Sequence, residues 1–282
     1  MTNKLLKIAL IGKTNAGKST LINSLIGEKV SIINKKINTT KDLIIGILNV
    51  ENTQLVFYDT PGSNILKTSD LSQKSLKINT WNAIEEVDYI IYIIDAYKFD
   101  LDLILLELNK INEANKPIIL IFNKIDLINN KEILPHISKI DKLNLVSDFF
   151  NISAKYNKGL DQLLSFLKNK SLNKKWLYDD QQITNKDDVF ISNECTRNSL
   201  LKYLHEEIPY RLNVKNIIFK FIKKNELKIK QSIEITNLRY KSIILGKNGQ
   251  TIKRIRESSQ IEISDILKVK VHLYLQVNKI DE

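Results

Sequence analysis

Short apolar runs alternate with amphipathic segments over roughly the first 170 residues of the chain. The apolar runs predict β-strands over 7–11, 43–50, 55–59, 89–95, 118–123 and 148–153. Apolar residues at helical spacing predict helices between them, over 18–26, 71–86, 99–114 and 160–169. This order predicts a mainly parallel sheet with helices on both faces, in which the second and third strands form an antiparallel pair.

A different pattern follows the polar stretch 173–188, which has no periodicity and is interpreted as a linker. The elements beyond it are a helix over 189–206, strands over 214–224 and 228–237, two helices separated by GKNG, and a last strand over 268–277. The order α-β-β-α-α-β predicts a smaller α+β domain. The predicted organisation is therefore a first domain over 1–172, a linker over 173–188 and a second domain over 189–282.

Composition narrows the class of protein. The chain has one cysteine, Cys195, which fits a reducing cytoplasm, and its N-terminal residues pass directly into a glycine loop without room for a signal peptide. No apolar run approaches the ~20 residues that span a bilayer. The net charge of +11 is uneven, because residues 187–282 carry +6 and residues 1–186 carry +5. The C-terminal third is the more basic part, which favours an anionic partner there.

The sequence GKTNAGKS matches G-x-x-x-x-G-K-[ST] between a predicted strand and a predicted helix. Its glycines allow backbone N–H groups to turn towards phosphates, Lys18 reaches the β- and γ-phosphates, and Ser19 supplies a hydroxyl to Mg²⁺. The pattern predicts a nucleoside triphosphate site, with phosphate-binding residues Gly12, Lys13, Thr14, Asn15, Ala16, Gly17, Lys18 and Ser19.

The sequence NKID follows a buried strand and predicts the base. A carboxylate at Asp126 accepts hydrogen bonds from N1 and the 2-amino group of guanine, whereas adenine offers no donors in that arrangement. We treat this carboxylate as buried, so that binding ATP leaves it unpaired. The predicted guanine-binding residues are Asn123, Lys124, Asp126, Ser153, Ala154 and Lys155.

Two further segments complete the predicted phosphate and metal site. Asp59, Thr60, Pro61 and Gly62 follow a strand, where Asp59 holds a water on Mg²⁺ and the Gly62 N–H meets the γ-phosphate. Thr39 and Thr40 lie in a polar stretch, and we favour Thr40 as a direct Mg²⁺ ligand.

These four motifs, in this order, resemble the translation-factor-like GTPases, and GKTNAGKST with paired threonines and DTPG resembles their Era branch most. The second half fits the same family. Gly246-Lys247-Asn248-Gly249 resembles the G-x-x-G loop of a KH domain, which clamps single-stranded RNA. EEIPY at 206–210 and the six Lys/Arg residues without an acid in 239–256 agree with it. The resemblance implies an α/β P-loop GTPase domain followed by a smaller α+β type II KH domain.

The Era resemblance implies hydrolysis of GTP to GDP and phosphate, with Mg²⁺ as cofactor, by positioning and charge. No side chain is assigned as a general base. The implied partner is the 3′ end of small-subunit ribosomal RNA, and the implied role is small-subunit assembly. RNA-binding residues are expected at Gly246, Lys247, Asn248, Gly249, Lys253 and Arg254. The protein is expected to be a cytoplasmic monomer that associates peripherally with the inner face of the cell membrane.

Two departures from the family pattern affect this expectation. Ser63 follows DTPG where the family has a hydrophobic residue and Ras-like proteins have a catalytic glutamine. The chain also stops soon after its last strand, where relatives carry a further tail that contacts RNA. In related GTPases without the glutamine, the position of Asn15 coordinates a monovalent cation, which predicts K⁺ as a second cofactor. The alternative role for Asn15 is only to brace the loop.

Other functions stay open from the sequence. One is an RNA-binding module whose nucleotide is a passive switch with negligible turnover. Another is a related tRNA-modification or ribosome GTPase, which the single GTPase domain and the KH pattern disfavour. A P-loop kinase or ATPase is disfavoured by NKID.

Overall fold

The computed structural model describes residues 2–27, 44–60, 81–82, 84–129, 133–204 and 212–280. The chain divides into two compact units between Asn185 and Lys186. Several residues named above lie outside the described ones: Thr39, Thr40, Pro61, Gly62 and Ser63, together with 206–210 and most of the predicted helix 71–86.

The first unit contains a mostly parallel sheet with strand order β2-β3-β1-β4-β5-β6. Only β2 is antiparallel to its neighbour along this path, as expected. The strands are β1 (Lys4–Ile11), β2 (Ile44–Val50), β3 (Thr53–Asp59), β4 (Tyr89–Asp95), β5 (Ile118–Asn123) and β6 (Asp148–Asn151). The helices between and after them include α1 (Lys18–Ile26), α2 (Leu101–Asn112), α3 (Leu134–Asp141) and α4 (Leu160–Lys170).

Both faces of this sheet are covered, which explains why its strands read as continuous apolar runs. Alternate residues of β1 pack on opposite faces of the sheet. Ala9 packs with residues of α2 and α3, such as Leu108. Ile8 packs on the opposite face with residues of α1 and α4, such as Leu21. The predicted α/β architecture is confirmed.

The strand order brings the predicted site residues together. The neighbours of β1 are β3 and β4, and β5 follows β4 in parallel. The carboxyl ends of these parallel strands therefore meet at one edge of the sheet, which is where open α/β sheets bind ligands. Gly12, Thr60, Asp95 and Asn123 lie at that edge.

Residues 172–185 are bound to the first unit, although most of this stretch falls in the predicted linker; we call them the strap. The strap begins with β7 (Leu172–Asn173), which pairs antiparallel with β1. The fully buried side chain of Gln54 then binds its backbone. Gln54 Oε1 accepts from the N–H groups of Leu177 at 2.9 Å and Tyr178 at 3.1 Å. Gln54 Nε2 donates to the Tyr178 carbonyl at 2.9 Å.

The end of the strap lies along β2, which is the edge strand of the sheet. The Ile47 N–H donates to the Ile183 carbonyl at 2.8 Å. Near the start of β2, the Ile45 N–H donates to Asn185 Oδ1 at 3.1 Å. The strap thus satisfies backbone groups that an edge strand otherwise leaves unpaired.

The second unit has the predicted α-β-β-α-α-β order. Its elements are α5 (Asp188–Tyr203), β8 (Asn213–Lys223), β9 (Glu226–Ile235), α6 (Arg239–Leu245), α7 (Gln250–Leu267) and β10 (Lys270–Lys279). The sheet order is β10-β9-β8, with β9 antiparallel to β8 and parallel to β10. Its core joins α5, α6 and α7 to the central strand through Leu200, Ile244, Ile255 and Ile233. The predicted strands and helices here agree with the structure to within three residues at most ends.

Candidate nucleotide site and GKNG loop

The loop after β1 has a backbone that only glycine accepts at two positions. Gly12 has φ +157°, and a Cβ there would lie 2.2 Å from the Ile93 carbonyl oxygen. Gly17 has φ +107°, and a Cβ there would lie 2.1 Å from Asn123 Nδ2. The two glycines therefore allow the loop to pack against β4 and β5 and still turn into α1. Asn15, between them, has φ 66°.

Lys18, the first residue of α1, is buried beneath this loop. Its ammonium donates to the carbonyl oxygens of Gly12 at 2.8 Å and Lys13 at 3.1 Å. Burial lowers the pKa of Lys18, and the carboxylates of Asp59 and Glu107 partly oppose that shift. A buried cation under a loop of backbone N–H groups favours a phosphate ligand.

Ser19 and Asp59 come together from different elements. The Ser19 hydroxyl donates to Asp59 Oδ2 at 2.8 Å, and Asp59 is fully buried at the end of β3. The Thr60 hydroxyl donates to the Leu10 carbonyl, which ties the next residue to β1. A hydroxyl beside a carboxylate is the hard oxygen donor set that Mg²⁺ prefers, so these residues fit the predicted metal.

Asn123 connects the two halves of the nucleotide site. Its Nδ2 donates to the Ala16 carbonyl at 2.8 Å, and its Oδ1 accepts from the Ala154 N–H at 3.0 Å. The Ser24 hydroxyl donates to the Ala154 carbonyl at 2.7 Å. Asn123 therefore holds the phosphate loop and the Ser153-Ala154-Lys155 loop in one arrangement.

The Asp126 carboxylate is held by a hydroxyl from the next loop in the predicted base site. The buried Ser153 hydroxyl donates to Asp126 Oδ1. Asp126 itself is exposed, so the expectation of a buried carboxylate is wrong. Asp126 lies in a short 3₁₀ turn after β5, beyond the covered part of the sheet. The exposed Lys155 has its ammonium 4.8 Å from the Tyr156 ring centre.

The structure adds Asp95 to the site, a residue that lies outside the four sequence motifs. The Lys124 ammonium lies 2.6 Å from Asp95 Oδ2. Lys124, which has φ 66°, reaches from the end of β5 to Asp95 at the end of β4. The available signal was the position of Asp95 after the buried strand YIIYII, since a carboxylate there lies at the same edge of the sheet.

A second carboxylate outside the sequence motifs is Glu107 on α2. Glu107 is almost fully buried and accepts a hydrogen bond of 2.6 Å from the Tyr92 hydroxyl. Burial and this contact raise the pKa of Tyr92. Because the Glu107 charge also favours the ammonium form of Lys18, it contributes to the electrostatics of the phosphate loop from inside the core.

The GKNG loop joins α6 to α7 in the second unit. Gly246 has φ 72°, and a Cβ there would lie 2.1 Å from Thr251 Oγ1. Gly249 and Asn248 also have positive φ, at 74° and 53°. The exposed side chains around it are those of Lys247, Asn248, Lys253 and Arg254. Within the described chain, no ion pair involves these three cations, and α7 directs its N-terminus to the loop. The arrangement favours a phosphate backbone.

None of the described helices is long and apolar enough to cross a membrane.

Two protein-family models match the chain. The model described as 50S ribosome-binding GTPase matches residues 7–124, and the KH domain model matches residues 207–282. They cover the two units separately, in the predicted order.

The chain is similar over nearly its full length to curated relatives called GTPase Era. It is 38% identical to the protein of Rickettsia typhi over 275 residues, covering 97% of this chain and 92% of that protein. It is 39% identical to the protein of Rickettsia prowazekii over 282 residues, covering 98% and 94%.

Solved structures agree with these relatives. The structure of Era in complex with MgGDPNP and nucleotides 1506–1542 of 16S ribosomal RNA has a TM-score of 0.90 and 34% identity, covering 99% of this chain and 95% of that one. A point variant of Aquifex aeolicus Era bound to GDP·AlF₄⁻ has a TM-score of 0.90 and 33% identity over the same shares. The expected α/β P-loop GTPase domain and KH domain are confirmed, and the chain belongs to the Era family of GTPases.

Proposed function

We propose that this GTPase binds Mg²⁺–GTP in the first unit, at the carboxyl ends of the parallel strands. The second unit binds the 3′ end of small-subunit ribosomal RNA, and the protein acts in assembly of the small ribosomal subunit. The nucleotide-binding part of this proposal is carried by the hydrogen bonds of Asn123. They join the phosphate loop to the Ser153-Ala154-Lys155 loop, so that Lys18, the Ser19–Asp59 pair and Asp126 belong to one site.

The residues divide by the part of GTP that they contact. The loop from Gly12 to Ser19 and Lys18 bind the phosphates, while Asp126, held by Ser153, binds guanine. Ser19, Asp59 through a water, and Thr40 would hold Mg²⁺. When bound, Mg²⁺ neutralises charge on the β- and γ-phosphates. The chain contributes positioning and fixed positive charge, and no general base is assigned.

The RNA-binding part of the proposal rests on the GKNG loop and on the solved structure of a related Era protein bound to RNA. The loop has the backbone and the exposed cations that a phosphate backbone needs. The 34% identical Era bound to nucleotides 1506–1542 of 16S ribosomal RNA indicates which RNA to test. We assign Gly246, Lys247, Asn248, Gly249, Lys253 and Arg254 to RNA binding.

A phosphate-release assay tests this function. We expect the full chain to release phosphate from GTP in Mg²⁺, not to do so from ATP, and to stop when EDTA removes the metal. The same protein is titrated with the RNA of nucleotides 1506–1542. Phosphate release at the background rate, with and without RNA, contradicts the proposal and favours the passive switch.

K⁺ is proposed as a second cofactor, held at Asn15. A monovalent cation beside the β- and γ-phosphates offsets charge that develops there, as an arginine finger does. We expect faster GTP hydrolysis in potassium chloride than in sodium chloride at equal ionic strength. Equal rates would leave Asn15 with a bracing role.

The location and oligomeric state are also proposals. We propose a cytoplasmic monomer that associates peripherally with the inner face of the cell membrane. Sedimentation of the protein with anionic vesicles tests the association, and analytical ultracentrifugation tests the monomer. Failure of either leaves the GTPase and RNA proposals intact.

A further inference from the structure

The three-stranded sheet of the second unit has one covered face and one open face. Odd-numbered residues of β9, such as Leu227, Ile229 and Ile233, are buried against the helices. Even-numbered residues of β9 and β10 point to the other side, because side chains alternate along a strand. We call that side the open face. The GKNG loop does not belong to it, since α6 and α7 pack on the covered face through Ile244 and Ile255.

Lysines meet across the strands on the open face, near the turn that joins β8 to β9. Lys220 of β8 is directly opposite Lys228 of β9, and Lys230 is the next β9 residue on the same face. Like charges that face each other across strands are unfavourable unless an anion lies near. For the residues that the structure describes, Lys220 and Lys230 form no ion pair.

Among the described residues, the acid of this face that lies beside Lys228 along β9 is already matched by other cations. Glu226 lies 3.3 Å from His272 Nε2 and 3.4 Å from the Lys270 ammonium. These contacts lower the pKa of Glu226, with the His272 hydrogen bond first. Glu226 therefore stays charged but is engaged by His272 and Lys270, and among the described residues it forms no ion pair with Lys220, Lys228 or Lys230.

An exposed aromatic ring lies among these lysines. Tyr274 of β10 is opposite Lys230 and is 52% exposed. The Lys228 ammonium lies 5.6 Å from the centre of its ring. Ile218 of β8 is opposite Lys230 on the other side. Aromatic side chains interleaved with cations on an open sheet are typical of surfaces that stack bases and contact phosphates of single-stranded nucleic acid.

We propose that the open face is a second RNA-binding surface, separate from the GKNG loop. Tyr274 stacks on a base, and Lys220, Lys228 and Lys230 contact phosphates. The proposal rests on the RNA-binding function proposed above. A KH loop clamps about four nucleotides, so a longer RNA has phosphates beyond the loop for this face to bind.

Two sets of variants of the full chain test the proposal. The first is Lys220→Gln, Lys228→Gln and Lys230→Gln combined, matched by Lys139→Gln, Lys142→Gln and Lys175→Gln, which remove three exposed lysines from the first unit. The second set is Tyr274→Ala with Tyr274→Phe. Affinity for the RNA of nucleotides 1506–1542 is measured by fluorescence anisotropy over a series of salt concentrations. Thermal melting and basal GTP hydrolysis verify that each variant is folded.

The open-face triple variant is expected to lose about tenfold or more in affinity. Its salt dependence should weaken by about two in the slope of log K against log[salt], since each contact to single-stranded RNA contributes roughly 0.7. Tyr274→Ala should lose about tenfold, while Tyr274→Phe keeps the ring and binds like the wild type. The control triple variant should keep most of the affinity and most of the salt slope.

Four results overturn the proposal. If the open-face variants bind RNA with wild-type affinity while Lys247→Asp/Asn248→Asp loses binding, the open face does not bind RNA. The proposed function through the GKNG loop then stands. Equal losses of RNA affinity in both triple variants mean that binding depends on the net charge of the protein and not on the open face. Unchanged RNA affinity with lost binding to phosphatidylglycerol vesicles assigns the face to a membrane. A wild-type protein that binds no RNA removes the proposed RNA function as well.

Discussion

At the scale of single residues, the site depends on side chains that hold other parts of the protein. Asn123 binds two loops, Ser153 binds Asp126, and Asp95 binds Lys124. Motif matching identifies Asn123 and Asp126 by type, but it does not show which other parts of the protein each of them contacts. Those contacts follow from the hydrogen bonds of the structure.

Asp126→Asn is expected to change the preferred base. The amide loses the pair of acceptors for guanine and complements the carbonyl at C2 of xanthine instead. Affinity for GTP should fall at least tenfold, and affinity for xanthosine triphosphate should rise, in equilibrium titrations. Asp102→Asn, on the exposed side of α2, is the control and should bind GTP normally. Equal affinity of the wild type for ATP and GTP would remove the guanine assignment.

Asp95→Asn is expected to weaken the binding of GTP and of GDP to the same extent. The substitution removes the charge that holds Lys124 at 2.6 Å, and Lys124 belongs to the base side of the site. The pair is partly exposed, so the loss should be modest, about three- to tenfold in affinity. Dissociation rates of both labelled nucleotides provide the measurement. A loss confined to GTP would instead assign Asp95 to the γ-phosphate.

At the scale of elements, periodicity predicted most of the fold. Helix α1 begins and ends at the predicted residues, and β4 and β5 also match, because each has one clear pattern and a clear boundary. The strap was not predictable in this way. Its bonds join residues more than 120 positions apart through the side chain of Gln54 and the edge of β2, so nothing local in its polar sequence indicates where it lies.

In the site, too, local patterns were predictable and contacts between distant residues were not. Backbone motifs predicted the phosphate loop because glycine spacing reports backbone conformation directly. The ion pair of Asp95 and the buried carboxylate of Glu107 were missed, because each gains its role from a neighbour on another element. The exposure of Asp126 was also missed, since it depends on how far the turn after β5 extends beyond the sheet.

Gln54→Ala tests the strap as an element. The substitution leaves two backbone N–H groups and one carbonyl of the strap without their partner inside the protein. Unfolding free energy should fall by about 2–3 kcal/mol. Gln162→Ala, on the exposed side of α4, is the matched control and should change it little.

Urea denaturation of both variants provides the measurement. The midpoint should fall for Gln54→Ala with an unchanged denaturant slope, because the surface exposed on unfolding is the same. Equal stability of Gln54→Ala and Gln162→Ala would mean that the strap contributes nothing to the first unit.

At the scale of the whole molecule, nucleotide chemistry and RNA binding lie on separate units with separate cores. The residues around Lys18 pack in the first unit, and Ile244 and Ile255, beside the GKNG loop, pack in the second. The greater positive charge of residues 187–282 lies on the unit that carries this loop. Each function should therefore be removable without unfolding the other unit.

Lys247→Asp combined with Asn248→Asp should remove RNA binding while basal GTP hydrolysis stays near the wild-type rate. Two carboxylates in the exposed loop repel the phosphate backbone that Lys253 and Arg254 attract, so affinity for the RNA of nucleotides 1506–1542 should fall at least tenfold, with a weaker salt dependence. Lys18→Ala should do the reverse, since it removes the buried ammonium under the phosphate loop and leaves the second unit unchanged. RNA titration and basal phosphate release are measured for both variants. Undiminished RNA binding by the double Asp variant would reduce the GKNG loop to a turn between two helices.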